Sequence, residues 1–65
     1  MEKIDKQITK YIRWSKEHYG YIDWNYIIKV LSAWFRVEYG MDNWTAKKLA
    51  KELIEEEKNE KVNNS

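Results

Sequence analysis

Apolar residues recur along this chain at helical spacing, and its two glycines divide the pattern into thirds. Before Gly20, the residues Ile4, Ile8, Tyr11, Ile12, Ser15 and Tyr19 share one face, leaving Lys3, Lys6, Lys10 and Arg13 on the opposite or flanking side. The spacing predicts a first helix over about residues 3–19. Gly20 suits its C′ position, where a left-handed conformation is cheap without a Cβ. Asp23 is placed to accept a bond from an unpaired amide of the next turn, and Trp24 opens a second periodic run. That run comprises Trp24, Ile27, Ile28, Leu31, Trp34, Phe35 and Tyr39, broadened by Val30 and Val37. Its stripe is wider than one neighbour would cover, so residues 24–39 read as the central helix of a bundle.

Gly40 closes the second helix as Gly20 closes the first, and Asp42 or Asn43 can cap a third beginning near Trp44. Trp44, Thr45, the stem of Lys48, Leu49 and Leu53 are expected to point inward, with Ala46, Ala50 and Ile54 sharing the broader face. Beyond Ile54 the run Glu55-Glu56-Glu57-Lys58-Asn59-Glu60-Lys61 has no apolar periodicity. The fold class that follows is all-α: a compact three-helix bundle, helix–turn–helix-like in its second half. One domain is expected over residues 1–58, followed by a disordered polar tail over 59–65.

A twenty-residue echo marks the two junctions: Trp14-x-Lys16-x-x-Tyr19-Gly20-x-x-Asp23-Trp24 returns as Trp34-x-Arg36-x-x-Tyr39-Gly40-x-x-Asn43-Trp44. In each copy a basic residue lies in the last helical turn, a glycine ends the helix, and a polar cap precedes a tryptophan. The echo is read as a matched pair of helix ends. Two short copies do not establish a solenoid.

Composition narrows the class. At 65 residues the chain is one domain at most, and without cysteine it holds no disulfide, thiolate nucleophile or Cys-ligated metal. Packing alone must stabilise it, and four Trp, five Tyr and one Phe supply the apolar bulk. The formal net charge of +1 gives no general pull toward a polyanion, so any such attraction must come from local patches. There is no apolar run of membrane-spanning length, and Met1-Glu2-Lys3-Ile4-Asp5 lacks the features of a signal peptide. A cytoplasmic location and no membrane partner are expected.

Candidate chemistry is sparse. Phosphate-cradling glycine loops and nucleophile-elbow segments are absent, and the single histidine, His18, cannot make a His-rich metal site. Glu52, Glu55, Glu56, Glu57 and Glu60 read as a solvated face rather than as convergent acid–base groups. No enzymatic activity, cofactor or metal is expected. The most specific architecture is a helix–turn–helix, with Phe35, Tyr39, Met41, Ala46 and Leu49 at the mutual packing surface. Lys47, Lys48 and Lys51 would then approach double-stranded DNA, with Lys10 and Arg13 as auxiliary phosphate contacts. The alternative is a protein-interaction or inhibitory module, possible as a homodimer, whose interface would use Trp14, His18 and Tyr21; of the tryptophans, Trp14 is expected to be the most exposed.

Overall fold

The computed structural model describes residues 2–63, which form three helices: α1 (Glu2–Tyr19), α2 (Trp24–Tyr39) and α3 (Asn43–Asn63). There is no strand among the described residues, and the architecture is the expected all-α three-helix bundle. Helix α2 is central: it packs on both α1 and α3, and its pairing with α3 is the closer.

Each helix end has a local cause. Helix α1 carries Glu2 and Asp5 in its first turn and Lys16 and His18 in its last, which complements the helix dipole. Gly20 takes φ 79° and its N–H donates to the Lys16 carbonyl at 2.9 Å, turning the chain out of the helix. The Tyr26 N–H donates to Asp23 Oδ1 at 3.2 Å, so Asp23 caps α2. Gly40 repeats the left-handed exit at φ 65°. Asp42 then caps α3, accepting the Thr45 N–H at 3.1 Å and the Thr45 hydroxyl at 2.5 Å. These bonds, that of the hydroxyl foremost, hold the Asp42 carboxyl below the usual aspartate range.

The core joins Ile8 and Ile12 of α1, Ile27, Leu31 and Phe35 of α2, and Ala46, Ala50 and Ile54 of α3. Phe35 is the largest fully buried side chain, and removing such a group from water contributes roughly 1.5–3 kcal/mol. Ala46 and Ala50 have no bulk to hold the helices apart, so the α3 backbone comes close to α2 at this seam. The start of α1 is tied to the end of α2 by an ion pair between Lys3 and Glu38, so these helices run antiparallel. Glu38 raises the Lys3 ammonium above the ordinary lysine value, first by hydrogen bonding and then by charge.

A buried serine fixes the first junction. Ser15 has no exposed surface; its hydroxyl donates to the Tyr21 carbonyl at 3.0 Å and accepts the Asp23 N–H at 2.9 Å. One side chain thus pairs two backbone groups that the turn between α1 and α2 leaves without helical partners.

Several positions depart from the sequence reading. Val37 is 86% exposed and Tyr39 is exposed too, so the apolar face of α2 narrows toward its C-terminus. Tyr39 therefore lies near the surface, edge-on to Trp34 at 5.5 Å and tilted against Phe35 at 6.0 Å, instead of filling the α2–α3 seam. Trp44 and Thr45 face outward, and the buried line of α3 is Ala46–Ala50–Ile54, flanked by half-buried Leu49 and Leu53. The cause is the cap. Asp23 lies directly before Trp24, whereas Asp42 stands two residues before Trp44, so the second tryptophan is rotated by about 100° relative to the first. The third helix also continues through Asn63, so the part of the 59–65 segment up to Asn63 is helical; residues 64–65 lie outside the described residues. No glycine or proline interrupts that stretch.

Candidate nucleic-acid interface

Polar residues interrupt the apolar pattern of α2 at Asn25, Lys29, Ser32 and Arg36, steps of four, three and four that place them on one side of the helix. On α3, Asn43, Lys47 and Lys51 recur every four residues and form a second such line. The α2–α3 packing brings the two lines together along a groove of about 580 Å³, lined also by half-buried Ile28, buried Ser32 and exposed Ala33. Lys29 and Arg36 stand on one wall and Lys47 and Lys51 on the other. No carboxylate lines this groove, and among the described residues none of its four cations is held in an ion pair.

This is where the sequence-predicted lysines come to lie. Lys47 and Lys51 are in the groove, while Lys48 is one step around the helix, its Nζ 5.0 Å from the centre of the Trp44 ring. Glu52, Glu55 and Glu56 border Lys48 and Lys51 on the far side of α3. Much of the acidic run turns toward α1, where Asp5, Glu56, Glu57 and Glu60 surround a separate groove over Ile8 and Leu53. Helix α3 is thus basic in its first half and acidic in its second, the reverse of what the helix dipole favours. Positive side chains and the positive helix end therefore add at the α3 N-terminus, partly offset by the Asp42 carboxylate.

Lys10 and Arg13 are not brought to this site. They line a shallow surface of α1 together with Glu2, Asp5 and Lys6, where Lys6 pairs with Glu2 at 3.8 Å. Lys29, Arg36, Asn25 and Asn43 line the groove without being among the sequence-predicted contacts. For Asn25, Lys29 and Arg36 the signal is the polar stripe across α2, which the apolar residues of that helix dominate, whereas Asn43 stands in the sequence only as a cap candidate for α3.

Trp14, His18 and Tyr21 gather at the α1–α2 junction. Trp14 lies between His18, stacked at 4.0 Å, and Tyr26, stacked at 5.3 Å, with Tyr19 edge-on at 5.6 Å. The His18 ring is fixed by its Nδ1–H, which donates to the Trp14 carbonyl at 3.0 Å. Tyr21 reaches the cluster through Tyr19. Trp14 thus has two stacked aromatic neighbours and one edge-on, and its 37% exposure is well below that of Trp44, at 69%. Trp44, not Trp14, is the most exposed tryptophan.

Among the described residues no helix is long and apolar enough to cross a membrane. No protein-family model, curated protein or solved structure is found to match this chain, so the reading of its function rests on the geometry of the α2–α3 groove.

Proposed function

We propose that this chain is a non-enzymatic nucleic-acid-binding module that holds a phosphate backbone along the groove between α2 and α3. The observation that carries the reading is the convergence of Lys29, Arg36, Lys47 and Lys51 on one carboxylate-free groove. Four cations with no ion-pair partner among the described residues set up a local positive field in one recess that the net charge of +1 conceals. Asn25 and Asn43 add neutral donors suited to phosphate oxygens. The α2–turn–α3 unit, with Gly40 in a three-residue connection, is compatible with a helix–turn–helix, in which the N-terminal part of the second helix approaches the bases.

The test is binding of a labelled duplex by fluorescence anisotropy across a salt series. Neutralising four phosphates gives a log–log salt slope of about −3.6 on duplex DNA, and Lys47→Ala with Lys51→Ala reduces it by about 1.8. A folded double variant with unchanged affinity and slope overturns the reading.

A protein-interaction role, in a homodimer or with another chain, is the second reading. It is favoured by the aromatic junction, where Tyr19 and Tyr21 are exposed beside Trp14. Tyr21→Ala then abolishes concentration-dependent association in sedimentation velocity; a wild-type chain that stays monomeric at high concentration rules out the homodimer.

A further inference from the structure

Trp44 is the one tryptophan that the fold leaves largely in solvent, at 69% exposure, and among the described residues it stacks on no other aromatic ring. Its position is specific. It follows Asn43, which lines the basic groove, and is three and four residues before Lys47 and Lys48, its neighbours on the helix surface. Lys48 sets its ammonium 5.0 Å from the ring centre, and Lys47 stands on the groove wall beside it. The indole is thus outside the groove lining but next in sequence to Asn43 and one helical turn from Lys47, with the Lys48 ammonium over its ring.

We infer that Trp44 is a stacking platform for an unpaired base, and that the groove's ligand is single-stranded nucleic acid. The inference rests on the groove reading above and names the ligand class within it. A strand whose phosphates follow Lys47, Lys51, Lys29 and Arg36 carries its bases to the side, and the first beyond Asn43 meets the Trp44 ring. Every base offers a π-face, so such a platform tolerates any sequence. A base paired within a duplex is already stacked on both sides and cannot take this place. Trp44 is poorly suited to a two-fold contact with a second copy, because that contact would bring the same lysines of both chains together.

The experiment compares a labelled oligothymidylate, a duplex of equal length and an abasic oligonucleotide with the same phosphate count, by anisotropy at near-physiological salt. The wild-type chain is expected to bind the oligothymidylate about tenfold more tightly than the abasic strand. Trp44→Leu removes that difference while leaving abasic binding unchanged, and Trp44→Phe, which keeps an aromatic face, retains most of it. Circular dichroism of both variants checks that the helices persist. Equal binding of the three ligands, sensitive to Lys47→Ala with Lys51→Ala, overturns the stacking role and leaves the groove reading intact. Tighter binding of the duplex than of the single strand also overturns it. If no ligand binds, or binding ignores the groove lysines, the groove reading falls as well.

Discussion

Replacing Ser15 by Ala removes a single oxygen from a fully buried position and leaves two backbone groups at the α1–α2 junction without their partner, the Tyr21 carbonyl and the Asp23 N–H. An unsatisfied buried polar group costs about 1–3 kcal/mol. The junction is only part-buried, so water recovers some of this at each group, and the loss comes to about 2–4 kcal/mol. A domain of this size has a total stability of roughly 3–10 kcal/mol, which makes that a large fraction. The midpoint of thermal unfolding should fall by roughly 10–30 °C. The assay is thermal and urea unfolding followed by far-ultraviolet circular dichroism, with the near-ultraviolet signal reporting the Trp14 cluster that the junction holds. Ser32→Ala is the control. Ser32 is also buried but makes no hydrogen bond to another element among the described residues, and its replacement should cost less than about 1 kcal/mol. A Ser15→Ala protein within about 0.5 kcal/mol of wild type, or no less stable than Ser32→Ala, would refute the bridging role.

Other expectations use the same kind of measurement. At Gly40, φ is 65° and an added Cβ meets nothing within 4 Å, so Gly40→Ala should lose about 1–2 kcal/mol through backbone conformation alone; a D-alanine at this position should lose much less, and equal losses would point to another cause. Asp42→Ala should lower the melting temperature at neutral pH. Because the carboxyl of Asp42 is held below its ordinary value in the folded chain, its contribution is complete above the ordinary aspartate range and is lost as pH falls through the folded value, so the gap between variant and wild type should close in acid. The Lys3–Glu38 pair behaves oppositely: the raised Lys3 contributes fully below the ordinary lysine value and loses its effect as pH rises through the folded one. Its surface position makes the effect small and salt-sensitive, and a Glu38→Gln melt unchanged even at low salt would remove the pair from the account. Lys10→Ala with Arg13→Ala should leave nucleic-acid affinity nearly unchanged, since these residues stand on the α1 surface with Glu2 and Asp5; a large loss would place the ligand across α1 as well.

The helix boundaries were legible because their determinants are local. Gly20, Gly40 and Asp23 act within one turn of where they stand, and no distant contact is needed to read them. The register of α3 was not legible in the same way. Reading hydrophobicity alone directs Trp44 inward, but close packing on α2 admits only Ala46 and Ala50 at the seam, and the cap at Asp42 turns the indole out. The candidate site was half visible. Lys47, Lys48 and Lys51 stand out together in a polar helix although only the first and last line the groove, whereas Lys29 and Arg36 are hidden in a segment whose apolar residues dominate its pattern. Only the pairing of α2 with α3 shows that these four charges share a recess.

The basic groove beside α2 and the acidic groove beside α1 give a nearly neutral molecule two opposed electrical poles. How an approaching polyanion experiences them depends on the reach of charge through the solvent. At about 0.01 M salt the screening length is about 30 Å. That is comparable with the 34 Å long axis of the protein, so both poles are felt together and largely cancel. At about 0.15 M it shrinks to about 8 Å, and only the nearer pole acts. Physiological salt, which weakens the hold of each cation, thereby sharpens the choice of which side of the protein a polyanion meets.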